Sequence, residues 1–226
     1  MRSFHNYIRY FTVTAIISSL VAFGSSAAYA VSGGDNIAQH ERDKLLIYQH
    51  DMRKIEAYLN GLTTFVADFT QATEDGGLSK GRFYLSRPGM LRWEYHPPAE
   101  ILIVAKDNLL AYYDKELDEI SYISIDEALA GFLIKEQINF IDDMRVTAFH
   151  KKDDYIGITV TQQEKPQEGN ITLVFNKDIT SLVGMEVVDA VGKRTMISFD
   201  HIVHRKPLAK KLFDFPRKKR KRRTRS

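Results

Sequence analysis

The stretch GRFYLSRPGMLRWEY, residues 81–95, decides the fold. Apolar and polar side chains alternate on both sides of a central Arg-Pro-Gly, which is the pattern of two half-buried strands joined by a turn. Every second side chain of a strand points to the same face. The apolar residues of that face are Phe83, Leu85, Leu91, Trp93 and Tyr95. The sequence therefore predicts an antiparallel hairpin with a largely aromatic inner face.

The same alternation recurs along most of the chain after Gly61 and predicts about eleven short strands. Turn signals such as Pro97-Pro98 and Asn176-Lys177-Asp178 separate them. A sheet of this many strands accumulates twist and curls, and its apolar positions then face inward. We therefore predict a mainly β protein with helices (α+β), in which the outer strand positions are polar and the interior is apolar.

The segment 35–60 has helical spacing instead. Its apolar side chains recur at steps of three and four, as on one face of an amphipathic helix. They are Leu45, Tyr48, Met52, Ile55 and Leu59. Asn60-Gly61 then supplies a stop signal. We predict a helix of several turns that packs on the sheet.

A second segment, residues 125–137, interrupts the series of strands. Its side chains Leu129, Phe132 and Leu133 have helical spacing, which predicts a short, strongly apolar helix. With the first helix, it is available to close the open side of the curled sheet. Residues 212–215 are predicted to form a final short strand.

Arg87 is the charged member of the apolar row. It is in step with Phe83 and Leu85 and directly precedes Pro88-Gly89. Its guanidinium is then at the rim of an apolar concavity or inside it, where a buried charge needs hydrogen-bond partners. In the alternative, the stem covers apolar surface and the charged head reaches water at the strand end. The sequence leaves both placements open.

The first 30 residues are organised like a secretory signal peptide. Arg2 and Arg9 are basic, residues 11–23 are mostly apolar, and Ala28-Tyr29-Ala30 offers a cleavage site. The alternative is an uncleaved membrane anchor, but the apolar run is shorter than the roughly 20 residues that span a bilayer. We expect cleavage after Ala30 and a location outside the cytoplasm.

Composition and charge narrow the function classes. The 226-residue chain has no cysteine, which excludes disulfide frameworks, thiolate metal sites and a cysteine nucleophile. The net charge of +3 conceals a basic tail, PRKKRKRRTRS at 216–226. Such a tail binds polyanions. Nucleic acid conflicts with export, so an anionic membrane surface or an acidic partner is preferred, and a disordered extension of minor function is the alternative.

The run from Phe65 to Tyr113 resembles the periplasmic outer-membrane lipoprotein carrier family, LolA, and the similarity extends more weakly to about Phe215. The matching stretches are FVADFTQ (65–71), GRFYLSRPGMLRWEY (81–95), PPAEILIVAKDNLLAYYD (97–114) and LDEISYISI (117–125). The resemblance implies a carrier domain at 31–215, between the signal peptide (1–30) and the basic tail (216–226). It also implies an unclosed antiparallel β-barrel of eleven strands, with a hydrophobic cavity under a helical lid. The basic tail is outside the family pattern.

A function follows from the same resemblance. Members of this family accept a triacylated lipoprotein from an inner-membrane ABC transporter complex, shield its acyl chains in the periplasm and pass it to an outer-membrane receptor. By its motif, Arg87 resembles the family arginine that contacts the lid helices and holds the empty carrier shut. The acyl-chain-binding residues expected from the inner row and the lid are Phe83, Leu85, Leu91, Trp93, Tyr95, Leu129, Phe132 and Leu133.

Enzymatic function is not indicated. The sequence has no nucleophile elbow, P-loop, dinucleotide fingerprint or His-Glu-x-x-His run, so we expect a monomeric binding protein without a cofactor or metal. Its expected partners are acylated lipoproteins, the releasing transporter and an outer-membrane receptor, and not nucleic acid. Two alternatives stay open: a periplasmic lipid-binding sensor or envelope-stress regulator of the same fold, and an adhesion or scaffold module without a ligand.

Overall fold

One antiparallel sheet and one α-helix dominate the computed structural model, which describes residues 48–140 and 142–217. The helix, α1, comprises Gln49–Gly61. The strands are β1 (Thr64–Thr73), β2 (Leu78–Ser86), β3 (Met90–Tyr95), β4 (Ile101–Lys106), β5 (Leu109–Asp114), β6 (Glu119–Ser124), β7 (Met144–Lys151), β8 (Tyr155–Gln162), β9 (Gly169–Asn176), β10 (Leu182–Asp189) and β11 (Arg194–His204). The predicted series of about eleven short strands is confirmed.

The sheet is open rather than closed. Its strand order is β6-β5-β4-β3-β2-β1-β11-β10-β9-β8-β7, so β6 and β7 are the two edges. The first and last strands, β1 and β11, pair in the middle. The chain between the edges, residues 125–143, connects β6 to β7 across the open side and is called the lid segment below. The predicted unclosed antiparallel barrel is thus confirmed.

The first predicted helix is present as α1. Its residues Ile55 and Leu59 are buried in the core, with Met52 and Tyr58 packed against them. Tyr48 lies just before the helix and stacks on Phe149, with ring centroids 4.4 Å apart. Leu45 and the rest of the predicted helix before Tyr48 are outside the described residues.

The lid segment does not contain the predicted helix. It forms two 3-10 turns instead, Ile125–Glu127 and Gly131–Ile134. At Gly131 an added Cβ would come within 2.2 Å of the Ile125 carbonyl oxygen, so the two turns approach more closely than a continuous helix allows. The prediction of a helix was therefore wrong, although the apolar residues of the segment are buried as expected.

The inner face of the sheet is aromatic and buried. Phe83 lies against Phe65 and Trp93, with ring centroids 5.9 Å and 4.8 Å away, and Phe69 lies 5.0 Å from Trp93. Aliphatic residues of β8, β9 and β10 continue this core on the other half of the sheet. Hairpin alternation therefore predicted the inward face correctly.

The outer face departs from the prediction at β4. Leu102 and Val104 point outward and are buried together with Tyr113 and Phe213 in a second hydrophobic cluster. The cover is the C-terminal segment 205–217, called the strap below, which forms a 3-10 turn at Lys210–Phe213. The prediction that the outer positions are polar was therefore wrong for β4. The prediction of a final strand at 212–215 was also wrong, because this segment contains a 3-10 turn.

Two predicted segments are outside the described residues: the signal peptide (1–30) and all of the basic tail except Pro216 and Arg217. Within residues 48–140 and 142–217, no helix has both the length and the apolarity that crossing a membrane requires.

Candidate functional site

Arg87 lies in the turn between β2 and β3, directly under the lid segment. Gly89 supplies the left-handed conformation of this turn, with φ +83°, and its N–H donates to the Ile134 carbonyl at 2.7 Å. The Arg87 N–H donates to Thr63 at 2.8 Å. These bonds fix the turn between the end of α1 and the lid segment.

The Arg87 guanidinium joins α1 to the lid segment. Its Nη1 donates to the Leu59 carbonyl at the end of α1. Its Nε and Nη2 both donate to the Lys135 carbonyl, at 3.0 Å and 2.5 Å. Longer bonds of 3.4 Å reach Glu136 O and Asn60 Oδ1. Of the two placements left open by the sequence, the structure shows the one with internal partners.

The hydrogen-bond partners of Arg87 are backbone carbonyl groups and the Asn60 side-chain amide, not carboxylates. The side chain is half-buried, and this burial lowers the pKa of Arg87 from its ordinary value. A guanidinium nevertheless keeps its charge in proteins. Hydrogen bonds from a charged donor are stronger than neutral ones, so these bonds stabilise the observed position of the lid segment.

Two further residues of α1 hold the lid segment, and sequence reasoning missed both. The Asn60 side chain donates to the Ile138 carbonyl at 2.9 Å and accepts from the Ile138 N–H at 2.8 Å. One turn earlier, Glu56 accepts from the Phe140 N–H at 2.7 Å. Asn60 was interpreted as a helix stop, and the sequence gives no signal for a partner 78 residues away.

A small apolar cavity lies between the inner face of the sheet and the lid segment. Three of the predicted acyl-chain-binding residues line it: Leu91 and Trp93 from β3, and Leu133 from the lid segment. The cavity measures about 30 Å³, which is small beside the several hundred Å³ that ligand pockets usually have. The remaining lining residues are Ile103, Ala105, Leu110, Ile125, Ala128, Ala130, Gly131, Ile134, Met185, Val187 and Ile197.

Leu129 and Phe132 lie at the other side of the lid segment. Both are buried, and both line an open groove of about 420 Å³ between the lid segment and the end of β8. Charged groups at the groove include Asp126, Lys135 and Asp143. Lys135 donates to Asp143 at 2.8 Å, and Asn139 donates to the same carboxylate. The groove thus has an apolar floor and a charged rim.

Phe83, Leu85 and Tyr95 share the inner face with Leu91 and Trp93, but they are packed in the core and do not line the cavity. The Tyr95 hydroxyl donates to Gln71 Oε1 at 2.7 Å. Burial is the main cause that raises the pKa of this hydroxyl. These residues contact their neighbours in the core rather than open space.

The described residues contain no cluster of three or more His, Asp or Glu side chains able to hold a metal ion. Asp200, His201 and His204 lie close together in sequence near the end of β11. His201 contacts Asp68 on the exposed face at 3.0 Å, whereas His204 contacts Tyr58 at 3.1 Å. The two histidines therefore have different partners.

Comparison with known proteins identifies a family. The family model described as outer membrane lipoprotein carrier protein LolA matches residues 60–216. An uncharacterized protein of Rickettsia prowazekii is 26% identical over 164 residues, covering 73% of this chain and 76% of that protein. An outer-membrane lipoprotein carrier protein of Legionella pneumophila (strain Corby) is 27% identical over 185 residues, covering 76% and 91%. Among solved structures, a LolA superfamily protein of Nitrosomonas europaea is 12% identical with a TM-score of 0.43, covering 72% and 97%.

Proposed function

We propose that this chain, which belongs to the LolA family of outer membrane lipoprotein carrier proteins, carries acylated lipoproteins through the periplasm. In this proposal it accepts them from an inner-membrane ABC transporter complex, covers their acyl chains and delivers them to an outer-membrane receptor. It acts as a monomeric binding protein, without catalysis or a cofactor. The signal peptide proposed at 1–30 would export it.

The bonds of Arg87 to both α1 and the lid segment carry the proposal. A cavity of about 30 Å³ cannot take an acyl chain, so uptake requires the lid segment to move away from the inner face. Movement breaks the bonds of Arg87 to Lys135. Each bond from a charged donor contributes roughly 1.5 to 3 kcal/mol, which opposes opening when the carrier is empty.

Acyl-chain burial supplies the opposing free energy. Each methylene removed from water contributes about 0.8 kcal/mol, so ten buried methylenes outweigh a few hydrogen bonds. A ligand shifts an equilibrium only by its difference in affinity for the two states. Lipid therefore favours the open form, and the closed-state bonds reduce the net affinity enough for release.

The proposed acyl-chain-binding surface consists of the inner row of the hairpin and the apolar side of the lid segment. Leu91, Trp93 and Leu133 already line the cavity. Leu129 and Phe132 line the adjoining groove. In the open form the surface would also include Phe83, Leu85 and Tyr95.

Co-purification of a lipoprotein tests the proposal. Mature protein with an affinity tag is incubated with spheroplasts that synthesise a triacylated lipoprotein, and in parallel with spheroplasts that synthesise the same protein with its acylated cysteine replaced. Carriage predicts that the acylated form alone is recovered with the tagged protein. Equal recovery of both forms would contradict it.

Transfer to outer-membrane vesicles tests delivery. The complex from the first step is mixed with these vesicles, and the lipoprotein is followed from the soluble to the vesicle fraction. Transfer supports the carrier. Retention of the lipoprotein by the protein would instead favour the lipid-binding sensor.

The basic tail receives a separate proposal. Phe215 stacks edge-on against Tyr122 of β6, with ring centroids 5.8 Å apart, and exposed Arg217 follows it. The eight Lys and Arg residues of 216–226 would therefore start beside this edge of the sheet. At about 1 kcal/mol per charge near an anionic membrane, they would hold the carrier at the membrane surface.

A further inference from the structure

Trp93 lines the apolar cavity, and its indole N–H is a buried hydrogen-bond donor without a partner. Among the described residues, four buried side-chain polar atoms have no hydrogen-bond partner: Thr64 Oγ1, Trp93 Nε1, Glu168 Oε2 and Thr195 Oγ1. Trp93 is the member of this set that lines the cavity. Its side chain is only 4% exposed.

The surroundings of the indole offer no strong acceptor. An indole N–H can only donate, and buried tryptophans usually find a partner for it. The nearest rings are those of Phe83 and Phe69, at centroid distances of 4.8 Å and 5.0 Å, and aromatic faces accept hydrogen bonds only weakly. Leu91 and Ile103, also in the cavity wall, have aliphatic side chains. The unmet donor therefore costs free energy in the empty carrier.

The neighbouring polar group on the inner face behaves differently. The Tyr95 hydroxyl is fully buried, but it donates to Gln71 Oε1 on β1 at 2.7 Å. Its hydrogen-bonding requirement is thus met within the protein. Trp93, two residues earlier on β3, keeps its indole N–H without a partner.

A hydrocarbon chain has no acceptor, whereas the carbonyl group that joins an acyl chain to glycerol or to an amine has one. We infer that the Trp93 indole N–H donates to an acyl carbonyl oxygen of the cargo, so that the site prefers acyl esters and amides to ether-linked chains. This inference rests on the proposed function, because it requires acyl chains to enter the cavity. Leu133 and Ile134 of the lid segment cover this position, so the bond forms after the lid segment moves.

A pair of matched lipids tests the inference on the unmodified mature protein. 1,2-Dioctanoylglycerol has two carbonyl groups, and 1,2-di-O-octylglycerol has the same chain length with ether links. We expect the ester to bind about fivefold more tightly, the ratio given by one net hydrogen bond of about 1 kcal/mol. Trp93 is the one tryptophan of the chain, so its single indole N–H resonance should move downfield with the ester and not with the ether.

Two substitutions attribute the preference to the N–H group. Replacement of Trp93 by 3-benzothienylalanine exchanges the N–H for sulfur in a ring system of the same shape, and Trp93→Phe removes it with part of the ring. Both should bind ester and ether equally. The benzothienyl protein should retain the wild-type affinity for the ether, since its apolar contacts are kept.

The possible results distinguish failure of this inference from failure of the proposed lipid carriage. Equal binding of the two lipids by the wild-type protein, or an ester preference that persists without the N–H, would overturn the inference and leave lipid carriage standing. Failure of both lipids to bind would overturn the inference and count against lipid carriage as well. An ester preference lost in the benzothienyl protein supports the inference even if Trp93→Phe fails to fold.

Discussion

Asn60 and Ile138 exchange two hydrogen bonds, so that the last turn of α1 grips the backbone of the lid segment. The Asn60 amide donates to the Ile138 carbonyl at 2.9 Å, and its oxygen accepts from the N–H of the same residue at 2.8 Å. Arg87 Nη2 reaches the same oxygen at 3.4 Å. The lid segment is thus bonded by a side-chain amide as well as by the arginine.

Asn60→Ala should weaken closure. It removes both bonds to Ile138, and at about 1 kcal/mol for each neutral hydrogen bond we expect a loss of about 2 kcal/mol in the free energy of unfolding in urea. Binding of a hydrophobic dye should increase as the cavity opens. Asn170→Ala, on the half-buried strand β9, is the control and should change neither measurement. Unchanged dye binding by the Asn60 variant would contradict its role in closure.

Arg87→Leu should leave the carrier more open and slower to discharge its cargo. The substitution removes the charged donor to Leu59 and Lys135, and the closed state loses roughly 1.5 to 3 kcal/mol. The measurement is the rate of lipid transfer from loaded protein to acceptor vesicles.

Arg82→Leu is the matched control for Arg87→Leu. Arg82 lies on strand β2, just before the turn that contains Arg87, but it faces outward. There it pairs with Asp68 at 2.8 Å, and both side chains are more than a third exposed. Such pairs contribute little, so transfer should keep its wild-type rate. If both variants transferred lipid at the wild-type rate, Arg87 would have no part in release.

Phe213→Ala should detach the strap. Phe213 is fully buried against Leu102 and Val104 on the outer face of β4, and removing such a ring costs about 3 to 5 kcal/mol. We expect a corresponding fall in the free energy of unfolding, with aggregation as the apolar outer face becomes exposed. Lys210→Ala, at an exposed position of the same 3-10 turn, should have little effect. A small change at Phe213 would mean that the strap contributes little to stability.

Acidification should destabilise the contact between α1 and β11. Burial and then the charge of Arg205 lower the pKa of His204 below its ordinary value of 6.5. The unfolded chain then binds the proton more readily, so stability is complete above about pH 6.5 and falls as the pH drops below this value. Chemical unfolding at pH 7.5 and 5.5 measures the loss.

His204→Gln should reduce the dependence on pH, because it removes the group that titrates beside Tyr58. His96→Gln, at an exposed position, is the matched control and should keep the dependence of the wild-type protein. An identical pH dependence in all three proteins would show that His204 does not cause it.

Deletion of residues 217–226 should weaken binding to anionic liposomes. The segment contains the eight cationic residues of the tail, and electrostatic attraction to a membrane is screened by salt. Wild-type protein should therefore bind at low salt and dissociate as salt increases, whereas the truncated protein should bind weakly throughout. A difference that does not depend on salt, or no difference, would contradict the electrostatic proposal.

Side-chain alternation predicted the sheet well because the alternation of buried and exposed positions in a strand can be recognised from neighbouring residues alone. The inner row at Phe83, Leu91 and Trp93 could be assigned from a period of two alone, and all three are buried on the inner face. The outward burial of Leu102 was not predictable in this way. It depends on Phe213, which is more than one hundred residues away in the chain.

The lid segment shows a second limit of local patterns. Leu129, Phe132 and Leu133 have helical spacing, but the carbonyl oxygens of Lys135 and Glu136 accept bonds from Arg87 and the chain approaches itself closely at Gly131. Tertiary contacts therefore override helical propensity here. Arg87 could be singled out as a charge on an apolar row, although the sequence left its placement open, whereas Asn60 resembled an ordinary helix terminus.

The position of the chain ends in the sheet has a mechanical consequence. Because β1 and β11 pair at the centre, their hydrogen bonds hold the two halves of the sheet together. The lid segment is covalently connected to both edge strands, β6 and β7. The lid segment is thus fixed at both of its ends, one at each edge strand of the sheet. If the lid segment moved, the pairing of β1 with β11 could stay intact, and the displacement would be coupled to the separation of β6 from β7.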